Sequence, residues 1–184
     1  MVVLTIALIL VAIIAISAFG LVLILARRLR SVAERVNLFL PASAGTLPHP
    51  GTPVAEFQTT STDGQPLSRA DLIGVERVVA ILSTGCGDCS EEVVAFRQHA
   101  SRLELPPIVG ITGPAEQRAP MVAQLAGHAI VLEEEDLGPV QTALEISEFP
   151  AVLLVRDGII QQADHRLAPI LEALAVPSAA GSVR

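Results

Sequence analysis

Lysine, tyrosine and tryptophan are missing from this 184-residue chain, and cysteine occurs only twice, as Cys86 and Cys89. Each shortage narrows the chemistry. Two cysteines and four scattered histidines (His49, His99, His128, His165) contain no closely spaced histidine pair, so they do not complete the four ligands of a structural zinc site. No cysteine follows the apolar N-terminal run, which excludes a lipid-anchored thiol there. Basic residues are outnumbered by acidic ones, 12 to 19, for a net charge of −7, which argues against nucleic-acid binding. All 12 basic residues are arginine, a bias that looks like coding preference and implies no mechanism. Internal repeats are absent, and the acidic run Glu133 to Asp136 lacks calcium-loop spacing. It reads as a solvated stretch without a ligand.

Charge is also missing from Val2 to Ala26, a length sufficient to cross a hydrocarbon core of about 30 Å. The run is uniformly apolar rather than striped, so it is not a surface amphipathic helix. It has no charged leading region and exceeds the apolar stretch of an ordinary signal peptide. A small-x-small triplet, Ala42-Ser43-Ala44, lies well beyond it. Residues 1–26 are therefore expected to be a retained single-pass transmembrane anchor, which also accounts for much of the mean hydropathy of +0.58. Arg27, Arg28, Arg30 and Arg35 follow at once, a bias that by the positive-inside rule places the rest of the chain in the cytoplasm. Leu29, Val32, Val36 and Leu40 keep helical spacing, as a collar at the headgroups or a short stalk. Prolines and glycines then cluster up to Pro53, marking a linker. The expected division is anchor 1–26, collar and linker 27–53, folded domain 54–176 and tail 177–184.

The domain is organised around Arg77 to Phe96. Val78 to Leu82 is an unbroken apolar run that suits a strand buried on both faces. Ser83-Thr84-Gly85 breaks it, Cys86-Gly87-Asp88-Cys89 follows, and Ser90-Glu91-Glu92 supplies the acidic first turn of a helix. Val93, Val94, Phe96 and Leu103 are its expected buried side. A C-x-x-C between strand and helix puts its first sulfur at the helix N-terminus, where free N–H groups and the dipole favour a thiolate. That is the chemistry of thiol–disulfide exchange. Three alternatives stay open: half a zinc site, an inert disulfide closing a short loop, or two reduced thiols packed as small apolar groups.

Around this unit the pattern predicts a strand at Val54 to Thr60, a turn at Asp63-Gly64, and a short helix capped by Ser68 and ended by Gly74. Further strands are expected at Ile108 to Thr112, Ala129 to Leu132, Ala151 to Val155 and Ile159 to Ala163. Helices are expected at Glu116 to Ala126, Val140 to about Ile146, and Leu167 to Leu174. Alternation of this kind implies an α/β domain with a mostly parallel sheet, made mixed by the terminal hairpin.

Strand, C-x-x-C and helix, followed about 60 residues later by a proline opening a β-hairpin, resemble the thioredoxin fold. The extra strand and helix before that proline, the entry G-T-P-V-A-E-F and the apolar N-terminus make the chain similar to membrane-anchored, TlpA-like thiol–disulfide oxidoreductases. These include the cytochrome-c-maturation and methylamine dehydrogenase accessory types. The stretch L-A-R-R-L-R-S-V-A-E-R-V is closest to the accessory type. The resemblance implies that Cys86 is the attacking thiolate and Cys89 the buried resolving thiol, with Gly87 and Asp88 between them. It also implies that Pro150 is a cis-proline facing the pair, and that Phe149 offers its backbone to a partner peptide. From the residues alone, a trans proline at an edge-strand start is the commoner case. Three positions depart from the family: Gly85 replaces an aromatic, Gly87-Asp88 contains no proline, and Ala80 stands where a buried acid often serves the resolving thiol.

The expected function is a membrane-tethered oxidoreductase that exchanges disulfides with a cysteine-containing protein and is recharged by a thiol redox partner. It needs no metal or other cofactor. Asp88, with Glu91 and Glu92 one turn on, disfavours a neighbouring thiolate, and this predicts a reductant. The alternative is a non-catalytic binding or chaperone module on the same scaffold. A thioredoxin-like peroxidase fits less well, because Thr84 stands two residues before Cys86 and that family's loop proline is missing. The resemblance places the domain on the outer face of the membrane, against the arginine count.

Overall fold

The computed structural model describes residues 47–175. The anchor expected at 1–26, the collar and the tail from 177 lie outside the described residues. Among those described, no helix is long and apolar enough to cross a membrane.

The described elements run β1 (Gln58–Thr60), β2 (Pro66–Ser68), β3 (Glu76–Ser83), α1 (Gly87–His99), β4 (Ile108–Thr112) and α2 (Ala115–Leu125). They continue with β5 (Ile130–Glu134), α3 (Pro139–Ala143), β6 (Ala151–Arg156), β7 (Ile159–Asp164) and α4 (Leu167–Ala175). Five strands form one sheet in the order β5-β4-β3-β6-β7. β3, β4 and β5 are parallel, whereas β6 runs antiparallel to β3 and β7 antiparallel to β6. Parallel and antiparallel pairings are thus equal in number, so the sheet is less parallel than expected. β6 pairs with central β3 and not only with its hairpin partner.

β3 is central because its apolar run can be buried twice. Val79 and Ile81 face one cluster, which includes Leu153, Ile160, Val140, Phe57 and Leu72. Val78, Ala80 and Leu82 face the other, with Val93 and Phe96 of α1, Leu125 of α2, and Leu167 and Ile170 of α4. Pleating sends alternate side chains to opposite layers, so an unbroken run of this kind is stable only between two. α1 buries Cys89, Glu92, Val93 and Phe96, but Val94 points outward at 43% exposure. Its expected burial fails because it lies 100° around the helix from Val93.

The N-terminal part of the domain differs most from expectation. The strand expected at Val54 to Thr60 is ordered as a ladder only over Gln58–Thr60, paired with β2 across the Asp63-Gly64 turn in a separate two-stranded sheet. The expected linker does not extend to Pro53. The Gly51 N–H donates to the Ile160 carbonyl at 2.7 Å, the Ile160 N–H to Thr52, and the Val54 N–H to Gly158 at 2.8 Å. Proline content there marks an edge-covering segment alongside β7, which pairs an otherwise open strand edge. The helix expected at Val140 to Ile146 ends at Ala143, and Glu145 takes a positive φ of 55°.

The acidic run also needs correction. β5 extends to Glu134, which is 2% exposed. Its carboxylate accepts the Val140 N–H at 2.9 Å and the Gln141 N–H at 3.1 Å, satisfying the first turn of α3. Burial holds this carboxyl above the ordinary glutamate range, while the two N–H groups work against that shift. A charge run says nothing about which member points inward; strand pleat decides it.

Candidate active site at the cysteine pair

β3 delivers the cysteines to the carboxyl end of the sheet. After Ser83 the chain leaves the ladder. The Thr84 N–H still donates to Thr112 of β4 at 3.0 Å, and the Cys86 N–H closes a turn onto the Ser83 carbonyl at 3.2 Å. Gly113, at φ +121°, passes so close to Thr84 that a Cβ there would collide with its side chain. Cys86 is the N-cap of α1, with extended backbone (φ −104°), and the helix begins at Gly87. The first sulfur therefore sits beside unpaired N–H groups of the first helical turn, as the spacing predicts.

The two thiols, both free, occupy different environments. Cys86 is partly exposed and its thiol donates to the Phe149 carbonyl oxygen at 3.6 Å. Cys89, three residues on, is 0% exposed and packs with Ala80, Val93 and Phe96. Its sulfur accepts the Ser83 N–H at 3.3 Å. Burial pushes the Cys89 thiol up, the adjacent Cys86 sulfur adds to this, the Ser83 N–H opposes it, and the charge of Asp88 adds a smaller upward contribution. Chemically this is an accessible sulfur whose neighbour holds its proton.

Phe149 and Pro150 reach the pair from a distant part of the chain. The Phe149–Pro150 peptide bond is cis, and Phe149 packs against both core clusters. Gly87 and Asp88 are exposed on the first turn of α1. All the expected site residues thus lie at one end of the sheet. Among the described residues no group of three or more histidine, cysteine or acidic side chains is arranged to hold a metal. A hollow of about 170 Å³, lined among others by Arg77, Leu103 and Leu174, lies by the opposite end of β3, and the cysteines do not line it.

Three groups near the site escape sequence reasoning. The Ser83 N–H is a backbone donor, invisible in residue identity. Glu92, read from the sequence only as an acid of the first helical turn, is 6% exposed and accepts the Leu167 N–H at 2.9 Å, tying α1 to the start of α4. Burial raises its carboxyl, opposed by that N–H and by Arg166. Its spacing did carry a signal, since Glu92 falls on the same helical face as Cys89 and Phe96. His165 had none: it lies 15 residues beyond Pro150, and its Nδ1 sits 2.7 Å from the Pro150 carbonyl oxygen.

No family model matches the chain, and no curated protein matches it. Solved structures do. The thioredoxin domain of a thiol-disulfide oxidoreductase from Bacteroides vulgatus superposes with a TM-score of 0.57 at 17% identity, covering 69% of this chain and 96% of that one. A thio-disulfide isomerase from Thermus thermophilus gives 0.56 at 21%, covering 69% and 95%. A secreted disulfide oxidoreductase from Mycobacterium tuberculosis gives 0.51 at 19%, covering 68% and 87%. At these identities the likeness is one of fold. The domain has the thioredoxin-like α/β fold, a mixed sheet flanked by helices, with a close cysteine pair at the head of α1.

Proposed function

We propose that this chain is a membrane-tethered thiol–disulfide oxidoreductase that reduces a disulfide in a cysteine-containing protein. The observation that carries the reading is the asymmetry of the pair: Cys86 partly exposed at a helix N-cap beside the Phe149 carbonyl, Cys89 fully buried behind it. In the reaction the Cys86 thiolate attacks one sulfur of the partner's disulfide. That bond breaks, its other sulfur leaves as a thiolate and takes a proton, and a mixed disulfide joins Cys86 to the partner. Cys89 then gives up its proton and attacks the Cys86 sulfur. The partner's second thiolate departs, so the partner gains two electrons and two protons and Cys86–Cys89 becomes a disulfide. A second thiol partner returns the pair to its reduced form.

The surface position of Cys86 suits a macromolecular disulfide, and the charge of Asp88, felt at Cys89, favours the dithiol over its ionised forms. The anchor at 1–26 would hold the domain at the membrane, on the outer face where partner proteins carry disulfides. A reporter fused to the C-terminus, active on one side only, decides that orientation.

The test of function is trapping. Cys89→Ser should accumulate a mixed disulfide with a partner protein, and Cys86→Ser should not. Accumulation with Cys86→Ser alone reverses the two roles. No adduct with either variant favours a non-catalytic binding module on the same scaffold.

A further inference from the structure

The loop that faces Cys86 is held from outside by a side chain the reaction above does not use. His165 follows β7 directly and points back at the start of β6. Its Nδ1 lies 2.7 Å from the Pro150 carbonyl oxygen, and its Nε2 lies 3.6 Å from a carboxylate oxygen of Glu148. A carbonyl only accepts, so Nδ1 carries the proton and donates it. The ring thus reaches across Glu148-Phe149-Pro150, with one nitrogen on the carbonyl after Phe149 and the other on the side chain before it.

The bond has a local cause. The β6–β7 ladder is registered from Val152 opposite Asp164 onward, so Pro150 lies beyond its last pair. Pro150 is buried and its carbonyl has no strand partner on that side. The imidazole replaces the missing rung. Adjacent to this carbonyl, the Phe149 carbonyl takes the Cys86 thiol at 3.6 Å. Two consecutive carbonyls are therefore assigned to two side chains, one from the redox helix and one from His165.

We propose that His165 is a positioning residue for the partner peptide: it fixes the Glu148–Pro150 segment over Cys86 and so prepares the surface on which an extended disulfide-bearing segment docks. The inference rests on the oxidoreductase reading above. His165 and Glu148 side chains are 50% and 39% exposed, so replacing the ring removes little core packing. Loss of the brace lets the segment sample other orientations, and each docking event then bears the cost of ordering it. That cost falls on binding rather than on sulfur chemistry.

The experiment uses a synthetic peptide cyclised by one disulfide, and iodoacetamide as a small probe of Cys86. His165→Ala should raise KM for the peptide about fivefold, the loss of roughly one hydrogen bond's worth of ordering, with kcat held within about twofold. Alkylation of Cys86 by iodoacetamide should be unchanged. His165→Asn, which carries an N–H near the position of Nδ1, should restore KM, whereas a purely structural role would give no such rescue. An unchanged KM in His165→Ala, or a KM that Asn fails to restore, overturns the proposal. Ring-nitrogen NMR of the reduced wild type reads the brace without turnover. A protonated Nδ1 whose proton exchanges slowly is expected, and an unprotonated Nδ1 refutes the brace whatever the activity. A braced wild type that never turns over the peptide sinks the oxidoreductase reading, and the docking role with it.

Discussion

Resolution of the mixed disulfide should be limited by the proton on Cys89, and pH is the perturbation that shows it. Cys89 is 0% exposed, and burial is the first cause that pushes its thiol up, ahead of the contact with Cys86. Once Cys86 is tied to a partner, its thiol no longer bonds Cys89, but the burial remains. The Ser83 N–H at 3.3 Å is a single opposing donor. A thiol that titrates well above the ordinary value of about 8.5 is ionised in roughly 1% of molecules or fewer at pH 6.5. Attack requires the thiolate, so the resolving rate should climb about tenfold per pH unit, on the order of a thousandfold between pH 6 and pH 9, without levelling off. Mixing the reduced protein with an aryl disulfide releases one coloured thiolate on attack by Cys86 and a second on resolution by Cys89. Stopped-flow traces separate the two phases, and Cys89→Ser should abolish the second. A second phase that reaches a plateau below about pH 8 would mean that Cys89 ionises easily in the adduct. Burial would then not be what sets its proton affinity.

Three further outcomes are expected. Asp88→Asn removes a charge that adds to the upward push on Cys89, so a larger fraction of Cys89 is ionised at a given pH and the second, resolving phase should speed up while keeping its slope with pH. The same stopped-flow traces measure this, and an unchanged or slower second phase would mean that the Asp88 charge is not felt at Cys89. Glu92 is held above the ordinary carboxyl value by burial, so its favourable contribution is complete below about pH 4.5 and is lost as pH rises through its folded value. Glu92→Gln keeps an acceptor for the Leu167 N–H without the charge, and its stability relative to wild type should rise between pH 4.5 and pH 8 in urea titrations. A difference that does not vary with pH contradicts the buried-charge account. Deleting Val2 to Arg35 should leave a cooperatively unfolding domain that still exchanges disulfides, since the described residues carry their own two-layer core. Gradual, non-cooperative melting of the shortened chain would count against it.

Much of the site could be read directly because its parts are local. A run of β-branched and apolar residues, a two-glycine interruption and an amphipathic helix are set by neighbours within a few positions. Strand β3 and the N-cap position of Cys86 followed from that short-range physics, whereas the burial of Cys89 was implied only by the family resemblance. The expected elements from β4 to α4 also occur where the alternation placed them, with ends shifted by a few residues, because periodicity reports the face of an element better than its limits.

What tertiary structure alone decided was long-range and mostly polar. The meeting of Cys86 with Phe149 spans 63 residues, and the residues alone favoured a trans bond at Pro150, whereas the folded chain holds it cis. Glu134 was read as part of a solvated run and Glu92 as a first-turn acid; each is buried against N–H groups at the start of a helix, six residues away in the chain for Glu134 and 75 for Glu92. The segment Gly51 to Pro53 looked like linker and instead pairs with β7. Apolar pattern determines which face of an element turns inward. A buried carboxylate, a carbonyl awaiting an imidazole or an uncovered strand edge is satisfied by whichever donor or acceptor the packed layers bring within 3 Å or so, and that proximity exists only after folding.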